Sequence, residues 1–450
     1  MKKHFSFPVI WLPIIFFGLV VLCGGVALHQ PQCWRPGVRV TFIDALFTST
    51  SATCVTGLAV IDTGTSFNRL GQTVIMILIQ LGGLGILTFS ALAFYLWRRK
   101  VSLTDRVVVG QGLLHDKGFH LGRFLVQIVL WTFSIEIIGA LLLYARSPVS
   151  FHPFSALFHS VSAFCNAGFG LYNDSMMAWR GDFLVNIVIM TLIILGGIGF
   201  SVLVEMGNWS WSRLRKRMTR PLSWYCLVVV RTSFTLICFG AISIYLAEYA
   251  GNLRMPVVEA VLSSVFQSVT CRTAGFNTLD IGGMTNVSLL IMLILMFIGG
   301  APGSCAGGIK VTTFRVLLAF SKSQILRRNQ VVVGRFGIDG VTMNKAFTLL
   351  IFAVAIVFCS SVLLNITERG SLPDPAVRGL FLDTLFEAVS AFGTVGLSTG
   401  LTPKLSIPGK CIIISLMFIG RLGPILFLDA LHILYRERNY THPEESMLIG

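Results

Sequence analysis

The chain has 450 residues, of which 54% are hydrophobic and only 12% are charged. This composition excludes a soluble globular protein, because a soluble fold of this length needs far more charged surface. The net charge of +15 does not indicate nucleic-acid binding, since the basic residues cluster in short segments between apolar ones. Positively charged loops of this kind stay on the cytoplasmic side of a membrane. The sequence therefore predicts a multi-pass protein of the cytoplasmic membrane that contacts lipid.

Apolar segments long enough to cross a bilayer, which takes about 20 residues, recur along the whole chain. The first has no clean small-residue cleavage site, so we expect it to be retained as an anchor and not removed as a signal peptide. An even number of spans places both termini in the cytoplasm together with the basic clusters. Eight spans are predicted, at residues 7–28, 72–97, 124–146, 185–207, 224–248, 287–320, 346–367 and 409–435.

A unit of long span, short apolar segment, glycine, polar turn and long span occurs four times. The short segments cannot cross the membrane as helices, and non-helical backbone at membrane depth needs protein or a wet cavity around it. We therefore predict an all-α membrane protein in which four re-entrant pore helices and eight transmembrane helices surround one central pore. The four repeats are assigned to residues 1–100, 101–220, 221–335 and 336–450.

Each short segment ends at a glycine, which a phenylalanine precedes by ten residues in three repeats and by nine in the third. A loop that turns consecutive carbonyl oxygens into a pore needs conformations that glycine adopts cheaply, so the glycines fit a ring of carbonyls around a cation. The alternative is that they end helices in ordinary loops, which four copies in register disfavour. The predicted selectivity filter consists of Val55, Thr56, Gly57, Asn166, Ala167, Gly168, Thr273, Ala274, Gly275, Thr394, Val395 and Gly396.

Three acidic residues, Asp44, Glu259 and Asp383, are predicted to stand at the start of three pore helices. A carboxylate at that position caps free amides and complements the positive end of the helix dipole. The negative C-terminal ends of the helices then point at the glycines, where they favour a cation.

A second glycine motif follows the filter glycines by 24 to 28 residues. In repeats one and two we interpret it as close helix packing, because small residues let backbones approach. The third repeat differs, since one proline and five glycines interrupt a segment too long for a straight crossing. Broken helices at mid-membrane mark an ion path or a hinge, so we predict a movable gate, with a passive kink as the alternative. The predicted gate consists of Gly299, Gly300, Ala301, Pro302, Gly303, Ser304, Cys305, Ala306, Gly307, Gly308, Lys310 and Arg421.

Two basic residues of this predicted gate lie in or next to apolar sequence. Arg421 occupies the place that glycine holds in the other three repeats, and a lone arginine in a span usually faces a cavity. We expect it to form a positive barrier that slows cations, with a structural tie to backbone carbonyls or a carboxylate as the alternative. Lys310 is expected to snorkel to the cytoplasm or to tie the loop down. His159 is expected to be a packing residue with satisfied hydrogen bonds.

Three motifs of the chain are Thr-Cys-Val-Thr-Gly-Leu-Ala at 53–59, Thr-Cys-Arg-Thr-Ala-Gly-Phe-Asn at 270–277 and Met-Phe-Ile-Gly-Arg-Leu-Gly-Pro at 417–424. Together they closely resemble the Ktr/Trk/HKT superfamily of potassium transporters, and specifically the bacterial Ktr membrane subunits. The resemblance covers essentially the whole chain. It implies potassium selectivity at the four glycines, a gating loop at residues 299–310, and a homodimer on a cytosolic ring of nucleotide-binding, RCK-type regulatory subunits. Sodium often stimulates uptake in this group, so sodium-dependent symport is a hypothesis.

The gating loop departs from the pattern of this family. Bacterial relatives often have Ala-Ser-Thr-Ala-Ser-Gly, whereas this chain has Ala-Pro-Gly-Ser-Cys-Ala-Gly-Gly at 301–308, so the stiffness of its gate is expected to differ. The chain has no Walker-type loop and no strand-borne GxGxxG, so nucleotide control is expected to come from another protein. We expect no covalently bound cofactor. K⁺ is the expected substrate and the only metal, at the filter, and Na⁺ is a candidate coupling or activating ion.

Two other classes of function fit the sequence less well. A secondary transporter of a small organic solute usually has inverted repeats with broken helices in both halves, whereas these repeats run in one direction and only one second span is predicted to be broken. An intramembrane enzyme needs a nucleophile or metal constellation, and no HExxH motif is present. We therefore predict a channel-like, gated potassium-uptake protein that is not an enzyme and binds no nucleic acid.

Overall fold

The computed structural model describes residues 11–85, 121–215, 221–249, 255–370 and 374–423. Parts of the first, second and eighth predicted spans lie outside these ranges. The described chain is helical apart from one antiparallel hairpin of strands β1 (Val332–Val333) and β2 (Phe336–Gly337). The helices are α1 (Trp11–Leu28), α2 (Phe42–Thr53), α3 (Thr63–Ser66), α4 (Arg69–Gly83), α5 (Leu121–Arg146), α6 (Pro153–Phe164), α7 (Phe183–Gly197), α8 (Phe200–Leu214), α9 (Trp224–Tyr249), α10 (Val257–Thr270), α11 (Asn286–Phe297), α12 (Val311–Ile325), α13 (Gly340–Glu368), α14 (Asp374–Gly393) and α15 (Ile407–Leu422).

Three described helices are long and apolar enough to cross a membrane, namely Phe124–Arg146 of α5, α9 and α13. Only 22% to 28% of the residues in their most apolar stretches are buried inside the protein. Large apolar side chains such as Leu141, Phe234 and Ile351 stand exposed on their outer faces. Such apolar surface suits contact with lipid tails and not with water.

The short helices α2, α6, α10 and α14 end just before the four predicted filter glycines, and each packs against the long helix that precedes it in the chain. In repeats one, two and four the short helix also packs against the long helix that follows it. In addition, the second long helix of each repeat packs against the short helix of the next one. These pairs are α4 with α6, α7 with α10, α11 with α14, and α15 with α2. The last pair joins the end of the described chain to its beginning, so the packing closes into a ring.

Serine hydroxyls fasten three of the short helices to the preceding long helix. Ser49 donates a hydrogen bond to Val21 O (2.8 Å), and Ser160 and Ser268 bond α5 and α9 in the same way. Each serine faces a glycine, and a Cβ added at Gly24 would collide with the Ser49 hydroxyl and with Leu78. Small residues at these crossings let the helix backbones approach closely.

The glycine motifs of the second helices also lie at close contacts. A Cβ added at Gly82, Gly196 or Gly420 would collide with a carbonyl oxygen at the end of the short helix in the same repeat. The close packing predicted for repeats one and two is therefore present, and it recurs in repeat four. In repeat three Gly299 lies instead against Gly307, because the chain there leaves the helix.

The prediction that only one second span is broken is wrong. The expected break in repeat three is present, since α11 ends at Phe297 and α12 begins at Val311. However, the span predicted at 185–207 also breaks, and α7 and α8 meet at an angle of 111°. The break falls at Gly199, whose φ of +91° is a left-handed conformation that no helix contains and that glycine adopts at little cost. The motif that we assigned to packing alone thus also ends a helix.

The predicted caps need correction too. Thr41 is the N-cap of α2, and Asp44 lies in the first turn, where it forms an ion pair with Lys410 at 2.7 Å. Glu259 likewise lies in the first turn of α10, after Pro256. Asp383 is in the interior of α14, because that helix already begins at Asp374.

We expect Gly24→Val to lower the stability of the protein by about 1–3 kcal/mol, because the new side chain overpacks the contact of α1 with Ser49 and Leu78. Gly18→Val is the matched control, since Gly18 lies on the same helix with no atom near its added Cβ. Thermal unfolding in detergent measures both variants. Equal unfolding midpoints for the two variants would contradict the packing account.

Candidate ion pathway

The four predicted filter glycines come together in the structure. A Cβ added at any of them would collide with the carbonyl oxygen that precedes the glycine of another repeat. The pairs are Gly57 with Ala167, Gly168 with Ala274, Gly275 with Val395, and Gly396 with Thr56. These contacts run from repeat to repeat in chain order and return to the first, so the four glycines form a closed ring, which is called the glycine ring below.

The backbone of the ring is strained in the same way in all four repeats. The glycines have φ angles of +69° to +96°, and the residue two positions before each is also left-handed. Those preceding residues are Val55, Asn166, Thr273 and Thr394, with φ angles of +50° to +72°. A left-handed conformation is a real outlier for a β-branched residue. Strained backbone of this kind persists where the surrounding structure fixes it, and it clusters at functional sites.

Hydrogen bonding in these loops leaves the carbonyl oxygens free. The amides of Val55, Thr56 and Gly57 donate to Ala52 O, Ser51 O and the Ser51 hydroxyl, and the loop of repeat four repeats this pattern. Within the described residues, no hydrogen bond ends on a carbonyl oxygen of the twelve predicted filter residues. Buried carbonyls without a partner are rare and costly. A ring of such oxygens is suited to replacing the water shell of a cation.

The third repeat reaches the ring although it is one residue shorter. Ser268 of α10 makes the same contact with the preceding long helix as Ser49 does in repeat one, so the two short helices are equivalent. Gly275 nevertheless takes its place in the ring. The missing residue is therefore absorbed between Ser268 and Gly275, where Ala274 bonds to Thr270 O in place of the longer turn seen elsewhere.

A cavity of about 300 Å³ opens on one side of the glycine ring. All four glycines line it, together with polar residues of the surrounding loops that include Asp62, Asn173, Asn277 and Asp280. Two carboxylates that line a cavity raise the local concentration of cations. This cavity is called the vestibule below.

The interrupted segment between α11 and α12 does not line the vestibule and contacts repeat four just before Gly396. A Cβ added at Gly307 would collide with the Thr394 side chain, directly at the filter of repeat four. Backbone hydrogen bonds hold the segment against the break of repeat two: Ala301 donates to Gly197 O (3.0 Å), and Phe200 donates to Gly303 O (2.9 Å). Residues 299–310 thus lie below the ring, and they are called the gating loop here after their predicted role.

Both basic residues of the predicted gate hold this loop. Buried Arg421 donates to Cys305 O in the loop and to Gly82 O in repeat one. Lys310 donates to Ala306 O at 2.6 Å. The geometry matches the structural-tie interpretation for both residues. It leaves the charge of Arg421 below the ring, so a barrier to cations stays a prediction.

His159 is a satisfied packing residue, as predicted. Its Nδ1 donates to Ser155 O (2.7 Å), its Nε2 accepts from the Leu171 amide (3.3 Å), and its ring stacks on Tyr172. These two bonds fix the neutral tautomer, with the proton on Nδ1.

Two buried charged residues, Arg272 and Glu387, were not among the predicted site residues. Arg272 contacts Gly299 O and the Ser233 hydroxyl (both 3.3 Å). Glu387 of α14 accepts hydrogen bonds from the hydroxyls of Ser398 and Thr402. In both cases the sequence offered a sign, namely a charged residue within a short apolar segment next to a filter glycine. A charge buried there needs hydrogen-bond partners.

Comparisons with known proteins agree with this architecture. The family model TrkH, described as cation transport protein, matches residues 26–434. Ktr system potassium uptake protein B of Bacillus subtilis is 40% identical over 444 residues, which are 97% of this chain and 95% of the relative. Potassium/sodium uptake protein NtpJ of Enterococcus hirae is 34% identical over 461 residues, which are 100% of this chain and 98% of the relative. The resemblance drawn from the three motifs is confirmed.

A solved structure resembles the fold. The crystal structure of the potassium transporter TrkH from Vibrio parahaemolyticus matches with a TM-score of 0.76 over 96% of this chain and 86% of that one. At 17% identity this match supports the fold alone.

If the ring carbonyls bind a monovalent cation, potassium chloride should stabilise the protein over an equal concentration of a large organic chloride. A ligand present at 100 times its dissociation constant adds about 2.7 kcal/mol. Gly396→Ala should lose this ion-dependent stabilisation, because its Cβ would collide with Thr56 O in the ring.

Gly400→Ala is the control, since Gly400 is also left-handed, at φ +95°, but has open space around its Cβ. Thermal unfolding in the two salts provides the measurement. An ion-dependent shift that survives in Gly396→Ala would place the cation site elsewhere.

Proposed function

We propose that this chain, which belongs to the TrkH family of cation transport proteins, is a gated pore for potassium uptake across the cytoplasmic membrane. The observation that carries the proposal is the closed glycine ring, whose carbonyl oxygens accept no hydrogen bond from the described residues. The names of the relatives, which are potassium-uptake proteins, supply the identity of the cation.

In this proposal a potassium ion enters the vestibule, where Asp62 and Asp280 attract it. It then exchanges water for the carbonyl oxygens of the four filter loops. The C-terminal ends of the short helices point at the ring, and their partial negative charge stabilises a cation there. A monovalent cation that moves inward through the pore gains about 2.3 kcal/mol per 100 mV of membrane potential, so no further energy source is needed.

We propose that the gating loop controls this flux. It lies on the path directly below the ring, and its ties to Gly197, Phe200 and Arg421 must break before it can move aside. Several hydrogen bonds to backbone atoms hold the loop, and each contributes about 0.5–1.5 kcal/mol. That total is small enough for a regulatory partner to overcome.

The proposal extends to partners and topology. Relatives named as parts of a Ktr system support a partner subunit. We propose, from the family resemblance, that this partner is a cytosolic RCK-type regulatory ring and that the chain forms a homodimer. The relative named a potassium/sodium uptake protein supports sodium as a coupling or activating ion. Eight spans in four repeats, with both termini in the cytoplasm, complete the proposed topology.

A secondary transporter of an organic solute is less well supported. The second broken helix, between α7 and α8, removes one argument against such a transporter. However, the vestibule ends at a ring of adjoining glycine backbones, which suits a single dehydrated cation and not the passage of an organic molecule.

Rubidium uptake at low potassium, in a cell that lacks its own potassium-uptake systems, tests this function. We expect flux from this chain with its cytosolic partner, and competing sodium should inhibit that flux weakly. Gly275→Ser should weaken the preference for rubidium over sodium, because its Cβ would lie 2.6 Å from Val395 O and push the ring apart.

Gly37→Ser is the control for this variant, because Gly37 is equally left-handed, at φ +85°, and has no neighbour near its Cβ. Absence of any rubidium flux would refute the potassium proposal. An unchanged preference in Gly275→Ser would show that the ring carbonyls do not select the ion.

Arg421→Ala should raise rubidium flux in the absence of the regulatory partner, because it removes the link between Cys305 O in the gating loop and Gly82 O in repeat one. Arg421→Lys keeps the positive charge but cannot donate to both carbonyl oxygens in the same geometry. This variant therefore distinguishes the effect of the hydrogen bonds from the effect of the charge. Arg231→Ala, at an exposed arginine of α9, is the control. Flux that stays at the level of the unaltered protein in Arg421→Ala would contradict a restraining role.

A further inference from the structure

Two cysteines meet below the glycine ring. Cys165 directly follows the pore helix α6, and Cys305 lies in the middle of the gating loop. The Cys305 thiol donates to Gly83 O at 3.2 Å, and a Cβ added at Gly83 would collide with the Cys165 sulfur. The two side chains thus lie against the same residue, Gly83.

The backbones of the two cysteines are held together as well. The Cys305 amide donates to Gly196 O at 3.2 Å. Gly196 in turn packs against the carbonyl of Phe164, the residue before Cys165. Arg421 binds the Cys305 carbonyl from the other side. The part of the gating loop that carries Cys305 is therefore fixed beside the end of α6.

Polar groups surround the Cys165 sulfur. Its thiol lies 3.7 Å from Gln80 Oε1 and 3.8 Å from Glu136 Oε1, and Gln80 Nε2 donates to Glu136 Oε2 at 3.3 Å. Both cysteines are 1% exposed. A thiol must lose its proton before it reacts, and in the reaction below the oxidant takes up the protons of both thiols.

We propose that Cys165 and Cys305 form an oxidation-sensitive dithiol that locks the gating loop. A two-electron thiol oxidant such as diamide converts the pair to a disulfide. Two S–H bonds break and one S–S bond forms, while both electrons and both protons pass to the oxidant, whose N=N bond becomes HN–NH. Thiol–disulfide exchange with a reductant restores the two thiols.

The disulfide changes how the loop is held. In the reduced protein, hydrogen bonds alone fix the gating loop under the ring. In the oxidised protein, a covalent bond joins it to the end of α6. This consequence rests on the proposed function, because it assumes that the loop must leave the path for ions to pass. Oxidation is then expected to stop rubidium flux, and reduction to restore it.

The test uses the full chain together with its cytosolic partner in liposomes, in a background where the exposed cysteines Cys23, Cys359 and Cys411 are replaced by serine. After diamide treatment, peptide mass spectrometry identifies the linked cysteines, and rubidium uptake is measured before and after reduction. We expect a disulfide between Cys165 and Cys305, loss of most of the flux, and recovery with the reductant.

Two variants make the test specific. Cys305→Ser should form no such disulfide, and diamide should leave its flux at the level of the same variant without diamide. Cys271→Ser is the matched control, because Cys271 follows α10 as Cys165 follows α6, and it should remain fully sensitive.

Three other results would contradict the proposed lock or the proposed pore. Failure of the Cys165–Cys305 disulfide to form in diamide would overturn the proposal. A disulfide that leaves the flux unchanged would overturn the lock. Absence of flux in the fully reduced protein would refute the potassium pore itself, while the mass spectrum would still show whether the two thiols pair.

Discussion

The contact between each filter glycine and the carbonyl group before the next glycine is the constraint on which the structure depends. No side chain fits at these four positions, so the backbones of four separate loops can approach and close a ring. The helices around the ring hold the four loops in position for this contact. Each second helix packs on the short helix of the next repeat, and the ion pair of Asp44 with Lys410 joins the fourth repeat to the first.

The gating loop depends on the same ring from below. It forms hydrogen bonds with the break in repeat two, lies against Thr394 of repeat four, and is linked by Arg421 to repeat one. All four repeats therefore contact the loop or a residue that holds it. A movement of the loop must therefore change contacts with several repeats at once. Such coupled contacts favour two distinct positions of the loop over continuous motion.

Much of this arrangement could be predicted from the sequence because the chain repeats its own pattern. The positions of the filter glycines, the interruption between α11 and α12, and the satisfied state of His159 follow from local composition and spacing. The bend at Gly199 could not be predicted, because the sequence alone does not distinguish a glycine that ends a helix from a glycine that allows close helix packing. Asp383 was predicted to begin the fourth short helix, but α14 begins at Asp374. The sequence around Asp383 does not show that the helix extends further toward the N-terminus. The meeting of Cys165 with Cys305 depends on tertiary contacts between different repeats, which no local pattern records.

The central claim is that the carbonyl oxygens of the four filter loops bind the transported cation. The most direct test is a crystal of this protein grown or soaked in rubidium, with anomalous scattering measured at the rubidium absorption edge. The account predicts an anomalous peak on the axis of the glycine ring, surrounded by carbonyl oxygens of the filter residues. Anomalous peaks confined to the vestibule or to the surface, with none at the ring of a folded protein, would contradict it.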